Sequence, residues 1–93
     1  MNGDQSIKVF IREIDLDFKE GDDHNAMVKE AKLKLLESFL NAIGKGYVSS
    51  ERVYPDGKHE LVARDNQSEY TLKFDFERSG YNLKLVMRVY TPA

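Results

Sequence analysis

Cysteine is absent from the 93 residues, which rules out disulfide staples, thiolate metal sites and a cysteine nucleophile. The absence fits a reducing compartment. Long apolar runs are missing as well: none approaches the roughly 20 residues that a membrane-spanning helix needs. The opening Met1-Asn2-Gly3-Asp4-Gln5-Ser6 is polar and has no signal-peptide core, so a soluble, cytoplasmic chain is expected. No charge of one sign dominates either, and a net charge of −2 favours neither nucleic acid nor membrane. Recognised catalytic spacings are lacking too. No serine has a nucleophile-elbow context, no glycine-rich loop suits phosphates, and no His-x-x-x-His pattern occurs. His24 and His59 lie far apart, and a Glu or Asp pair without a pocket has nothing to raise its pKa. The expectation is a non-enzymatic chain with no cofactor and no metal.

What is present is a patterned, foldable chain. A hydrophobic fraction of 41% and clean alternation exclude disorder, and the length suits one domain over residues 1–93. A chain this short buries roughly 60–65% of its unfolded surface, enough for one core layer.

Residues 69 to 90 read as one hairpin. Tyr70, Leu72, Phe74 and Phe76 alternate with Thr71, Lys73, Asp75 and Glu77; Tyr81, Leu83, Leu85, Met87 and Val89 form a second apolar row. A turn at Ser79-Gly80 predicts Phe76 opposite Leu83, Phe74 opposite Leu85, Leu72 opposite Met87, Tyr70 opposite Val89, and Asp75 beside Lys84. A slip of one residue would turn every side chain over, so the faces are fixed.

Ser6 to Phe18 is the first strand. Ile7, Val9 and Ile11 fall on odd positions and Ile14, Leu16 and Phe18 on even ones, which predicts a bulge or bend at residues 11–13. Lys19 to Asn25 is a polar loop in which Asp22 or Asp23 caps a helix running to Ile43. Val28, Ala31, Leu35, Leu36, Phe39, Leu40, Ala42 and Ile43 fill its apolar arc, and Gly44 and Gly46 end it with positive φ. Tyr47 to Tyr54 is a weaker, edge-like strand. Pro55-Asp56-Gly57 is a turn with Gly57 left-handed, and Lys58 to Arg64 returns with His59, Leu61 and Ala63 facing inward.

The order β-α-β-β-β-β predicts an α+β fold: a single helix packed on a curled antiparallel sheet of about five strands, with the first strand beside the fifth. In outline this order resembles cystatin-like and monellin-like domains. The cystatin Gln-Val-Val-Ala-Gly turn does not occur, and no family is assigned.

Charge is unevenly placed. Residues 1–24 carry seven acids and three bases, residues 25–46 two and four, and the rest seven of each. Glu13, Asp15 and Asp17 share one strand face at steps of about 6.6–6.8 Å, and Glu20, Asp22 and Asp23 follow in the loop. The loop lacks the ordered alternation of an EF-hand, so the leading expectation is a contact set for a basic protein surface, as in a small inhibitor or regulator. The bland alternative is a solvated strand face followed by a helix cap.

The alternative functional class is nucleic-acid binding on the outer sheet face, where Lys58, Arg64, Lys73, Lys84, Arg88 and Tyr90 combine cations with an aromatic. Glu60, Glu69, Asp75 and Glu77 share that face and can neutralise it through cross-strand pairs. Lys32 falls inside the apolar arc. Either its ammonium snorkels past the sheet, or it pairs with Glu51. The exposed edge strand leaves two states open, a monomer or an edge-strand dimer.

Overall fold

The described strands alternate in direction and form one five-stranded antiparallel sheet, ordered β1-β5-β4-β3-β2. The computed structural model describes the backbone of residues 6–56 and 58–92, with every side chain among them except that of Ser79. The elements are β1 (Ser6–Leu16), α1 (His24–Ile43), β2 (Tyr47–Val53), β3 (His59–Arg64), β4 (Glu69–Ser79) and β5 (Asn82–Pro92). The Met1–Gln5 opening and Gly57, expected to be left-handed, lie outside the described residues. Among those residues, no helix is long and apolar enough to cross a membrane.

The α+β order and the β1–β5 adjacency match the expectation, but the curl does not. Among the described residues the sheet lies open, with β1 and β2 at its two edges. Every residue of β2 is exposed, which a strand folded over the helix would not be. The molecule measures 47 × 31 × 22 Å. The last figure is about the depth of one helix laid on one sheet, each layer being on the order of 10 Å thick. Curling needs bulges or glycine kinks within the sheet. Here the register shifts fall in the two edge strands, at Lys8/Phe10 and Val48/Ser50, while the β3–β4 and β4–β5 pairs run without one.

α1 connects the two edges and packs on the inner face. Asp23 caps it, its side chain accepting from the Ala26 amide at 3.1 Å, an interaction that contributes about 1 kcal/mol. Ala31, Leu35 and Phe39, four residues apart, point straight into the sheet and are buried. Phe39 is 2% exposed and meets Phe10 and Tyr70 edge-on, at ring separations of 5.3 and 5.0 Å. Gly44 takes φ +88 at the C-cap, where its amide bonds to the Leu40 carbonyl. Gly46 is not left-handed and serves a different need. A Cβ there would lie 2.7 Å from Ile43 Cδ1, so glycine lets the chain turn tightly under the helix end. Ala42, expected in the apolar arc, is exposed.

Three local expectations need correction. The hairpin keeps its faces but slips by two positions: Leu72 faces Val89, Phe74 faces Met87 and Phe76 faces Leu85. The turn is Gly80-Tyr81 rather than Ser79-Gly80, with Ser79 opposite Asn82. Gly80, at φ +63, sits at the first central position, where a II′ hairpin wants glycine. Tyr81 is thereby expelled from the apolar row and is fully exposed. The β1 irregularity lies at Val9, not at residues 11–13. Phe10 therefore turns inward with Ile14 and Leu16, while Ile7, Val9 and Ile11 remain about half exposed. β1 also ends at Leu16, which leaves Asp17 and Phe18 in the loop.

Candidate functional site

The six acids of the first strand and loop do not act as one set. Glu13 is bound to Lys84 Nζ at 3.1 Å. Asp22 accepts from the Lys19 amide at 2.8 Å, and Asp23 caps the helix. Asp15, Asp17 and Glu20 close no ion pair within 4.0 Å among the described residues. Glu13 and, less strongly, the charge of Asp15 raise the Lys84 pKa. His24 stacks on Phe18 at 4.1 Å, and the ring packs the loop against the helix start. Among the described residues, no group of three or more His, Asp or Glu side chains could hold a metal ion.

Asp15 and Asp17 do meet something that the sequence separates from them. They line an open hollow of about 470 Å³ whose other wall is the β4–β5 turn, including Arg78 and Tyr81. This end of the molecule thus combines two carboxylates with a fully solvent-exposed aromatic ring. Such a pairing suits an incoming guanidinium or ammonium, which gains from both carboxylate and ring face. Arg78 opposes it.

The outer sheet face is a lattice of pairs. Val86 is 1% exposed although it points away from the helix. It is flanked in register by Glu13 and Asp75. The charged side chains around it close on one another: Lys84 on Glu13, and Arg88 on Glu77 at 3.0 Å and on Asp75 at 3.7 Å. Asp75 accordingly partners Arg88, and Glu77 stands opposite Lys84 in place of the expected Asp75. Arg64 is paired with Glu69, and Lys73 lies over the Tyr90 ring at 5.2 Å. Lys58 falls before β3, in the turn, where its amide donates to Asp56 Oδ1 at 3.0 Å. Of the six residues read as a nucleic-acid face, three are ion-paired, two cover each other and one lies off the sheet.

A third site lies between the helix and the β2 edge. Where α1 stands off β2, an open groove of about 280 Å³ is bounded by Leu33, Leu36, Val48 and Leu61. Lys29, Lys32, Glu51 and His59 supply its polar groups. His59 Nε2 lies 2.6 Å from Glu51 Oε2, and its ring stacks on Phe74 at 5.4 Å. Among the described residues, His59 Nδ1 is buried without a hydrogen-bond partner. The imidazole therefore has no accessible nitrogen to offer a substrate, because one is taken by the carboxylate and the other is sealed inside. Lys32 Nζ sits 5.8 Å from the Phe74 ring centroid. Burial lowers the Lys32 pKa, and the charge of Glu51 offsets this in part. The ammonium lies over the buried Phe74 ring, and no ion pair to Glu51 closes within 4.0 Å.

Comparison with known protein families, characterised proteins and solved structures finds no match for this chain.

Proposed function

We propose that this chain is a small non-enzymatic protein-binding module that receives a basic segment of its partner at the β1–α1 end. The observation that carries the reading is the hollow lined by Asp15 and Asp17 together with fully exposed Tyr81. The contact set contracts to Asp15, Asp17 and Tyr81, with Glu20 adding negative charge in the loop. Glu13, Asp22 and Asp23 are engaged within the fold and serve structure. The partner supplies an Arg or Lys side chain that enters between carboxylates and ring. The nucleic-acid alternative is the weaker reading, since Lys84, Arg88 and Arg64 already hold carboxylates.

The test is affinity purification from the native host with the wild type, with Asp15→Lys/Asp17→Lys and with Arg78→Ala. The charge reversal abolishes capture of the partner, while Arg78→Ala strengthens it by removing a repelling charge. Capture that survives the reversal in a folded variant rejects the reading.

A second reading concerns β1. Among the described residues no strand pairs with its outer edge, and Ile7, Val9 and Ile11 are about half exposed, a composition that favours edge-to-edge self-association. Sedimentation of the wild type against Ile11→Lys decides it: a dimer that dissociates on substitution supports this reading, and a monomer at all concentrations rejects it.

A further inference from the structure

The groove between α1 and β2 lies apart from the acidic end and has its own chemistry. Its walls are aliphatic: Leu36 and Leu61 form the depth, and Leu33 and Val48 the exposed lip. At about 280 Å³ it sits just below the roughly 300–1,000 Å³ typical of small-molecule pockets, so only a small occupant fits.

One charge within it is unbalanced. The Lys32 ammonium has given up part of its hydration, rests on the Phe74 ring face, and closes no ion pair within 4.0 Å among the described residues. Glu51, whose charge acts on it, already engages His59 through Oε2. Lys32 thus brings one ammonium without an ion pair to the edge of an aliphatic groove whose carboxylate already engages His59.

We propose that this groove binds a small apolar monocarboxylate, with its carboxylate on Lys32 Nζ and its hydrocarbon body against Leu33, Leu36, Val48 and Leu61. A single head-group cation suits a singly charged carboxylate better than a phosphate, which calls for several donors. The dimensions select one ring or a short branched chain. An extended peptide fits less well, because β2 is bulged at Ser49, whose hydroxyl donates to the Val62 carbonyl at 3.2 Å. That interruption breaks the edge along which a peptide strand would run.

The test titrates methyl-labelled protein with phenylacetate, 4-methylvalerate and the uncharged phenylacetamide, followed by NMR. Saturable shifts at the methyls of Leu33, Leu36, Val48 and Leu61 are expected with both carboxylates. The amide should bind about ten- to hundredfold more weakly, and Lys32→Met should weaken the carboxylates by a similar factor. Lys32→Arg should retain binding, and a melting curve of Lys32→Met checks that the fold is intact. Asp15→Lys/Asp17→Lys leaves this binding unchanged, which separates it from the basic-partner reading. Absence of saturation, equal binding of amide and carboxylate, or full binding by folded Lys32→Met overturns the proposal.

Discussion

Replacing Phe39 tests how the helix is held to the sheet. The ring is 2% exposed and makes edge-on contacts with Phe10 on β1 and Tyr70 on β4, so it ties α1 to two strands separated by β5. Phe39→Ala removes a fully buried aromatic and should cost about 3–5 kcal/mol. Phe39→Leu keeps most of the apolar volume but forfeits two aromatic pairs of about 0.5–1.5 kcal/mol each, for a loss of about 1–3 kcal/mol. A chain of 93 residues has a total stability of roughly 5–14 kcal/mol. The alanine variant therefore loses about a fifth of it or more. At about 2 kcal/mol, the leucine variant should melt roughly 8–16 °C lower. Urea unfolding followed by circular dichroism, with an unchanged m-value, reads the difference directly. In a Phe10→Leu background the cost of Phe39→Leu should shrink by about 0.5–1.5 kcal/mol, because one pair is already gone. Leu33→Ala, on the exposed side of the same helix, should cost under about 1 kcal/mol. A Phe39→Leu protein as stable as the wild type, or a Leu33→Ala protein as damaged as Phe39→Ala, would refute this account of the packing.

Asp65 accepts from the amides of Gln67 and Ser68 at 2.8 and 2.7 Å and from the Tyr70 hydroxyl at 3.2 Å, which holds its pKa below the ordinary value. Its contribution is therefore present above the unfolded value of about 3.9 and is lost as pH falls through the folded value. Asp65→Asn should flatten the fall in urea midpoint below about pH 4, and parallel wild-type and variant curves would argue against it. A Cβ at Gly80 would meet nothing within 4 Å, but φ there is +63, so Gly80→Val should cost about 1–2 kcal/mol from backbone strain alone. An unchanged melting temperature would contradict the II′ turn. Lys32→Met should be neutral or stabilising, because it removes a partly desolvated charge. Since burial lowers the Lys32 pKa, wild-type stability should rise with pH between the folded value and about 10.4. The variant should lose that rise, and a clear destabilisation in thermal melts would reveal a buried ion pair instead.

The sequence revealed faces more readily than registers. The expected and observed hairpins place the same residues on the helix side, because a slip of two positions preserves alternation. Only turn chemistry separates them, and the decisive signal was a glycine that II′ geometry puts first, at Gly80. In β1, the run Ile7, Val9, Ile11 resembled a core row, whereas Phe10, Ile14 and Leu16 supply the inward one. A bulge at Val9 reconciles the two, and nothing in the local composition fixes its place. One helix for five strands predicts a curled sheet, yet the structure leaves β2 uncovered.

The sites follow the same logic. The outer-face neutralisation was legible because cross-strand pairs follow from alternation. The meeting of Asp15 and Asp17 with Tyr81 depended on the true turn and on β1 pairing with β5 in a particular register. Lys32, Glu51 and His59 were each legible as odd residues. Their convergence required the open β2 edge beside the helix, which no spacing along the chain encodes.

The central claim is that the acidic end with Tyr81 is the surface offered to a basic partner. A photoreactive benzophenone amino acid in place of Tyr81, irradiated in the native host, tests this most directly. One discrete covalent adduct is expected, disappearing with Asp15→Lys/Asp17→Lys and growing with Arg78→Ala. No adduct, or one indifferent to both substitutions, would contradict it.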